Sequence, residues 1–116
     1  MSGATSYHGG LAAEHAVARR YEGAGHVIAA RRWRGRGGEI DLIARGGGRT
    51  VFVEVKSAAT HAAAAARLGP RQIARIYDSA AEYMDTLPDG ALSEVRFDVA
   101  LVDGMGRIEV LENALH

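Results

Sequence analysis

Cysteine is absent from the 116-residue chain, which excludes a disulfide framework, a thiolate zinc site and a cysteine nucleophile. No apolar run approaches the roughly 20 residues that a transmembrane helix needs. The first ten residues show no basic segment followed by an apolar one, so no secretory signal peptide is predicted. From these absences we expect a cytoplasmic protein that does not enter a membrane.

An excess of charge of one sign is also missing, since 14 basic and 14 acidic side chains give a formal net charge of zero. Residues 1–56 nevertheless carry nine basic and five acidic groups, a net of +4, whereas residues 57–116 carry five and nine, a net of −4. The basic half contains a run around Trp33 that consists of Arg31, Arg32, Arg34 and Arg36. This run is a candidate contact for a polyanion, although a solvated arginine-rich strand edge is the commoner reason for such a cluster.

The chain length and an apolar fraction of 47% suit a single domain over residues 1–116, with residues 1–8 flexible. Apolar residues recur at helical spacing over residues 10–22, and again over residues 70–86, where Pro70 is suited to the first helical position. The second helix is predicted to bury one stripe, made of Ile73, Ile76, Tyr77, Ala80, Ala81 and Met84.

Five extended segments are predicted, at residues 26–34, 39–44, 50–56, 94–102 and 107–111. The alanine-rich stretch 58–68 offers few large apolar groups to bury, and it predicts a loop or a marginal helical turn. The order is therefore α-β-β-β-α-β-β, which indicates an α/β or α+β sheet protein.

The most specific pattern lies in the two strands that flank a glycine-rich turn. If this turn is centred on Gly47-Gly48, residues paired across the hairpin have numbers that sum to 95. Asp41 then lies opposite Glu54, and Glu39 lies opposite Lys56, with Cβ atoms about 5 Å apart. A shift of one residue would put Asp41 and Glu54 on different faces, so the prediction depends on the register.

Two interpretations of this patch stay open on spacing alone. Charged alternation is common on a solvent-facing hairpin, where Glu39 would pair with Lys56. Alternatively, two opposed carboxylates that repel each other would be reconciled by Mg²⁺, which prefers oxygen ligands. Two details favour a site. Ile43 and Phe52 flank the charges on the same face, and Lys56 is the only lysine in a chain that uses arginine at its other basic positions.

At these residues the chain resembles a known family. The segments Gly38-Glu39-Ile40-Asp41-Leu42-Ile43 and Val51-Phe52-Val53-Glu54-Val55-Lys56 resemble the YraN-like family of small bacterial proteins of uncharacterised function. That family is placed in the restriction-endonuclease-like PD-(D/E)xK superfamily, close to archaeal Holliday junction resolvases. Further matches are Gly10 and Glu14 in the first helix, Arg34, the strand Arg96-Phe97-Asp98-Val99 and the ending Glu112-Asn113-Ala114.

The resemblance implies a restriction-endonuclease-like fold, a mixed central β-sheet flanked by helices. It assigns Asp41, Glu54 and Lys56 to the catalytic Asp…Glu-x-Lys positions, and it adds Glu14 as a third acidic ligand for Mg²⁺ or Mn²⁺. Glu39 is a signature position without a defined role. The chain departs from the family where Arg32 replaces an asparagine, Ser57-Ala58 replaces a Thr-Arg pair and Arg71 replaces a lysine.

The leading hypothesis is therefore a Mg²⁺- or Mn²⁺-dependent nuclease that hydrolyses DNA, with branched or damaged structures as candidate substrates. In this hypothesis five arginines hold the DNA backbone, namely Arg31, Arg32, Arg34, Arg36 and Arg71. The resolvase-like relatives imply a homodimer by analogy. The alternatives are a non-catalytic nucleic-acid-binding module on the same fold and a structural or interaction protein with a vestigial site. The neutral net charge favours both slightly, because strong duplex binders usually carry a basic surplus.

Overall fold

One five-stranded sheet organises the computed structural model, which describes residues 3–90 and 93–114, with side chains from residue 10 onward. The strands are adjacent in chain order, and their bounds are β1 Val27–Gly35, β2 Gly38–Gly46, β3 Arg49–Ser57, β4 Glu94–Val102 and β5 Ile108–Leu111. Strands β3 and β4 are parallel, and the other neighbours are antiparallel. The helices are α1 Gly3–Gly23, α2 His61–Ala65 and α3 Pro70–Met84.

The predicted mixed α/β architecture and its five strands are confirmed, with strand ends within two residues of those expected. Helix α1 begins at Gly3 rather than at residue 10, and the alanine-rich stretch forms the five-residue helix α2, which Thr60 caps by accepting a hydrogen bond from the Ala63 N–H at 3.0 Å. The expectation that residues 1–8 are flexible stays a prediction, because residues 1 and 2 and the first side chains of α1 lie outside the described part. In the described chain, none of the helices is both long and apolar enough to cross a bilayer.

The helices cover opposite faces of the sheet. Val17 and Tyr21 of α1 pack against one face, whose buried residues include Leu42 and Val53. Helix α3 packs against the other face, where its buried residues meet Ile40, Ile43 and Phe52. Two apolar layers on one sheet explain why the central strand β3 is buried from Thr50 to Glu54.

The β2–β3 turn has the predicted centre. Gly47 and Gly48 have φ values of 60° and 76°, and Gly46 pairs with Arg49 across them. Two consecutive positive φ angles form the tight turn whose twist matches antiparallel strands. The observed pairs continue to Leu42 opposite Val53, so the register with numbers summing to 95 is confirmed.

The buried stripe of α3 differs from the predicted one. Tyr77 and Ala81 are exposed, whereas Ser79 is fully buried and donates a hydrogen bond to the Gly38 carbonyl at 2.8 Å. Beside it, a Cβ built on Gly37 would lie 2.8 Å from the Arg75 carbonyl oxygen. The turn between β1 and β2 therefore rests directly on the α3 backbone, which fixes the start of β2 relative to this helix.

The family-like segment around Asp98 has a structural role. The Asp98 carboxylate is fully buried, accepts two hydrogen bonds from Arg96 at 2.9 Å and accepts the Tyr21 hydroxyl at 2.6 Å. It also accepts the Asn113 N–H at 3.0 Å, while the Ala114 N–H donates to the Phe97 carbonyl at 2.8 Å. Burial, followed by the contact with Asp98, raises the pKa of Tyr21 well above its ordinary value. This network ties α1 and the C-terminal segment to β4.

Replacing Tyr21 by Phe should lower the free energy of unfolding by about 1–3 kcal/mol, because it removes a hydrogen bond donor from a buried carboxylate. Urea denaturation followed by circular dichroism measures the change. Tyr77→Phe is the matched control, since its ring is 36% exposed and stays against Phe97, and it should change stability by less than about 0.5 kcal/mol. Equal effects of the two variants would contradict a structural role for the Tyr21–Asp98 bond.

Candidate metal and nucleic-acid site

A cleft of about 620 Å³ opens between α3 and the ends of β2 and β3. The charged residues of the β2–β3 hairpin line one side, and the first two turns of α3 line the other. Its polar and charged lining residues are Glu39, Asp41, Glu54, Lys56, Arg71, Gln72 and Arg75. The cleft therefore gathers Asp41, Glu54 and Lys56, the three residues that the sequence assigned to catalysis.

Asp41 lies where the regular pleat of β1 and β2 is broken. Trp33 pairs with Ile40 on the α3 face, whereas Arg31 pairs with Leu42, which packs with α1 on the opposite face. A regular strand would place Ile40 and Leu42 on the same face of the sheet, and the strand departs from that alternation here. The neighbouring strand is irregular at the same level, since Arg32, opposite Asp41 in this register, adopts a φ of 49°.

At the end of the β2–β3 ladder, the Asp41 side chain accepts a backbone hydrogen bond from β3. Its Oδ2 atom accepts the Val55 N–H at 2.7 Å, beyond the last regular pair of Leu42 with Val53. This bond holds the carboxylate beside the residue that precedes Val55, which is Glu54. A charge-assisted bond of this length restrains the side chain more than an exposed carboxylate would be restrained.

Glu54 is a buried carboxyl with three polar neighbours. Its residue is 3% exposed, and its Oε2 atom accepts a hydrogen bond from the Gln72 side-chain amide and lies 3.4 Å from Lys56 Nζ. The third neighbour is Asp41, to which the Glu54 carboxyl is hydrogen-bonded. Two acidic groups in contact at the base of a cleft share a proton unless a cation separates them.

The pKa of Glu54 reflects these surroundings. Burial is the largest cause and, together with the hydrogen bond to Asp41 and the charge of Asp41, raises this pKa from 4.5 to about 9. The Lys56 ammonium acts in the opposite direction without reversing the shift. At neutral pH and without a bound cation, Glu54 is therefore protonated.

Lys56 pairs with Glu54 rather than with Glu39. The expected Glu39–Lys56 pair across the hairpin is not formed, because the regular ladder ends before these residues and Glu39 turns to the neighbouring strand. There it pairs with Arg34, with 3.5 Å between Oε2 and Nη2. Lys56, with an 18% exposed side chain, thus remains directed at the buried carboxyl.

Glu14 takes another partner. Its two carboxylate oxygens accept hydrogen bonds from Arg32 Nε and Nη2 at 2.9 and 3.3 Å, and it does not line the cleft. Among the side chains of residues 10–90 and 93–114, no group of three or more His, Cys, Asp or Glu residues lies close enough together to hold a metal ion. The role of Glu14 as a third ligand stays a prediction.

The five arginines predicted to bind nucleic acid do not form one patch. Arg31 and Arg32 are directed to the α1 side of the sheet, since Arg31 pairs with Leu42 and Arg32 binds Glu14 of α1. Arg36 lies at the far end of α3, where its N–H donates to Glu82 at 2.8 Å. Arg71 is the member of this set that lines the cleft.

Two residues of the cleft were missed by sequence reasoning, Gln72 and Arg75. Arg75 lies one helical turn after Arg71 in a helix that was predicted from the sequence. Because residues i and i+4 lie on the same side of a helix, this spacing could have identified Arg75 as a neighbour of Arg71. Gln72 had no such signal, because a single glutamine near a helix start has no characteristic spacing. Its contact with Glu54 depends on how α3 crosses β3.

The residues of the cleft fit a divalent cation of the Mg²⁺ type. Asp41 and Glu54 supply carboxylate oxygens in direct contact, and each is oriented by an amide N–H, from Val55 and Gln72 respectively. Mg²⁺ typically uses one or two protein carboxylates and completes its shell with water and substrate phosphate. A cation there would also remove the conflict that keeps Glu54 protonated.

Comparison with known proteins identifies a family. The model of the family described as "Uncharacterised protein family UPF0102" matches residues 13–102. A UPF0102 protein of Cereibacter sphaeroides is 59% identical over 114 residues, which cover 98% of this chain and 97% of that protein. A UPF0102 protein of Ruegeria pomeroyi is 54% identical over 97% of this chain and 91% of its own length, and one of Roseobacter denitrificans is 49% identical over 98% and 88%.

The buried Glu54 carboxyl gives a testable pH dependence in EDTA. The unfolded chain ionises Glu54 near pH 4.5 and the folded chain only near 9, so the unfolded state binds fewer protons between these values. The contribution of Glu54 to stability is therefore fully present below about 4.5 and is lost as the pH rises towards about 9. Urea unfolding should be measured for the wild type and Glu54→Gln across this pH range. As the pH rises, the free energy of unfolding of the variant should increase steadily relative to that of the wild type. Parallel curves would contradict the raised pKa.

Proposed function

The chain belongs to the uncharacterised protein family UPF0102, and from the site that it carries we propose that it is a Mg²⁺- or Mn²⁺-dependent nuclease that hydrolyses DNA phosphodiester bonds. The observation that carries the proposal is the contact of the buried Glu54 carboxyl with both Asp41 and Lys56 at the base of an open cleft. A fold selected for stability alone gains little from two acidic groups and one ammonium in such a place.

The arrangement suits phosphodiester hydrolysis. Asp41 and Glu54 would hold the cation, which when bound supplies a Lewis acid that polarises a phosphate oxygen and favours ionisation of an attacking water. In the reaction the water oxygen bonds to phosphorus, the ester bond to the leaving oxygen breaks, and the proton lost by the water is balanced by one gained by the leaving oxygen. The residues of the chain position these groups.

Lys56 has the role of an electrostatic partner in this scheme. Its ammonium, 3.4 Å from Glu54 Oε2, is held at the edge of the two carboxylates. There it orients the attacking water and stabilises the negative charge that develops on the phosphate oxygens. A compact ammonium with three donors suits this position better than a planar guanidinium would.

The positions of the site residues in the sheet also support the proposal. A mixed sheet with Asp41 on β2 and Glu54 and Lys56 on β3, covered by helices on both faces, is the arrangement that the resemblance to restriction-endonuclease-like proteins implies. We include in the proposal a preference for branched or damaged DNA and a homodimeric state, both by analogy with resolvase-like proteins.

The second candidate is a nucleic-acid-binding module without catalysis on the same fold. It is favoured by Glu14, which would complete a three-carboxylate site but is engaged by Arg32 instead. With two carboxylates, cation affinity depends more on the substrate phosphate, and a site of low affinity would bind DNA without efficient cleavage.

The nuclease proposal predicts separate effects for two variants. Lys56→Ala should lower the rate of Mn²⁺-dependent cleavage of junction and duplex DNA at least about a hundredfold while leaving Mn²⁺ binding nearly unchanged, because the ammonium acts on water and phosphate. Asp41→Asn should weaken Mn²⁺ binding itself, since a neutral amide is a poorer ligand. Gel assays of cleavage and isothermal titration with MnCl₂ measure the two effects.

Lys56→Arg is the control for charge, and it should not restore full activity although it keeps a cation beside Glu54. Calcium should bind without supporting cleavage. If the wild-type protein cuts no duplex, branched or single-stranded DNA with Mn²⁺ present, the nuclease proposal is wrong and the binding module remains.

A further inference from the structure

We propose that Arg71 and Arg75 form a phosphate-binding pair that holds the backbone of the nucleic-acid strand entering the cleft along α3. This inference rests on the proposed site, and it moves the main substrate contact from the arginine run of β1 to α3. The ligand class is a phosphodiester backbone, recognised by charge and by guanidinium hydrogen bonds rather than by base sequence.

Three arginines of the run around Trp33 have acidic neighbours. Arg32 forms a two-bond pair with Glu14 at 2.9 and 3.3 Å, and Arg34 lies 3.5 Å from Glu39. Arg36 borders a shallow depression whose other charged residues are acidic, namely Asp78, Glu82 and Asp85. A phosphate approaching these arginines would have to displace a carboxylate or come close to several, which weakens the attraction.

Arg71 and Arg75 differ in both position and partners. They occupy positions i and i+4 of α3, so their side chains leave the same face of the helix, and both line the cleft with Asp41, Glu54 and Lys56. Both are exposed, and neither forms an ion pair with a carboxylate of residues 10–90 or 93–114. Their guanidinium groups are thus available to an incoming anion.

The helix that carries this pair is fixed relative to the carboxylates. Ile76, on the same side of α3, is buried at 4% exposure against Val99 and Leu101 of β4. Gln72, between the two arginines, donates to Glu54. A phosphate held by Arg71 and Arg75 therefore lies in a defined relation to Glu54, as a cleavage site requires.

The charge of the cleft explains how a neutral protein can attract a polyanion. Its lining contains three cations, Lys56, Arg71 and Arg75, and three carboxyl groups, Glu39, Asp41 and Glu54. The metal-free chain and the charged groups of this lining each sum to zero, and one divalent cation bound to Asp41 and Glu54 adds a formal charge of +2 that is confined to the cleft. The attraction is local, so the overall net charge does not measure it.

The test compares double variants by fluorescence anisotropy with a fluorescein-labelled four-way junction and the matching duplex, in CaCl₂ and over a range of KCl concentrations. Arg71→Ala/Arg75→Ala should weaken binding at least about tenfold and reduce the slope of log K against log salt by about 2, because two phosphate contacts are lost. Arg71→Lys/Arg75→Lys should retain most of the affinity, since it keeps both charges.

The matched control is Arg19→Ala/Arg107→Ala, which removes the same formal charge from two exposed positions outside the cleft. It should weaken binding less than about threefold and leave the salt slope nearly unchanged. Circular dichroism and thermal melting verify that each variant is folded. A loss for Arg71→Ala/Arg75→Ala no larger than this control overturns the proposal.

Two other outcomes also overturn it. One is a larger loss for Arg34→Ala/Arg36→Ala than for the α3 pair, which would return the contact to β1. The other is a wild-type protein that binds neither DNA at low salt. Binding that depends on Arg71 and Arg75 without any cleavage in MnCl₂ would support the phosphate pair and refute the nuclease, so the two failures are distinguishable.

Discussion

The contact between the Asp41 and Glu54 carboxyl groups is the constraint on which the site depends. Glu54 is 3% exposed on the central strand, and Asp41 is held beside it by the Val55 N–H at 2.7 Å. Without a cation the pair accommodates its charge by keeping Glu54 protonated, with a pKa of about 9. Two further polar residues of the cleft, Gln72 and Lys56, contact the Oε2 atom of Glu54.

The backbone is adapted to the same contact. In a regular hairpin, the ladder would continue past Leu42 and the Asp41 side chain would face its partner without touching the backbone. Here the pleat is interrupted at Asp41, opposite the left-handed Arg32, and the carboxylate takes a backbone N–H of β3 for itself. Ser79 and the close approach at Gly37 fix the start of β2 on α3, so the hairpin and the helix that line the cleft form one unit. Local irregularity of this kind is concentrated at functional sites.

Much of this fold could be predicted from the sequence because the informative signals were local. The turn at Gly47 and Gly48 set the register, and a period of two then brought Asp41 to Glu54. The early start of α1 was missed, and the five-residue helix α2 matches only one of the two outcomes left open for the alanine-rich stretch, since weakly patterned segments carry little periodic signal. Ile40 and Leu42 lie on opposite faces although a period of two places them on the same one, because the pleat is broken between them.

The partners of long charged side chains could not be predicted from spacing. Arg32 was expected to contact nucleic acid and binds Glu14, and Glu39 was expected to pair with Lys56 and pairs with Arg34. Such pairs depend on how α1 and α3 cross the sheet, and these crossings are set by the packing of apolar residues. The acidic motif, by contrast, was defined within one hairpin. This difference is why the contact of the carboxylates could be predicted by residue number and the partners of the arginines could not.

The most direct test of the account is a crystal structure of the protein soaked in MnCl₂, with anomalous diffraction used to locate the ions. The account predicts one strong anomalous peak within coordination distance of carboxylate oxygens of both Asp41 and Glu54, in the cleft beside Lys56. A well-diffracting soaked crystal with no peak between these two carboxyl groups would contradict the account, because the acidic pair would then not bind a divalent cation.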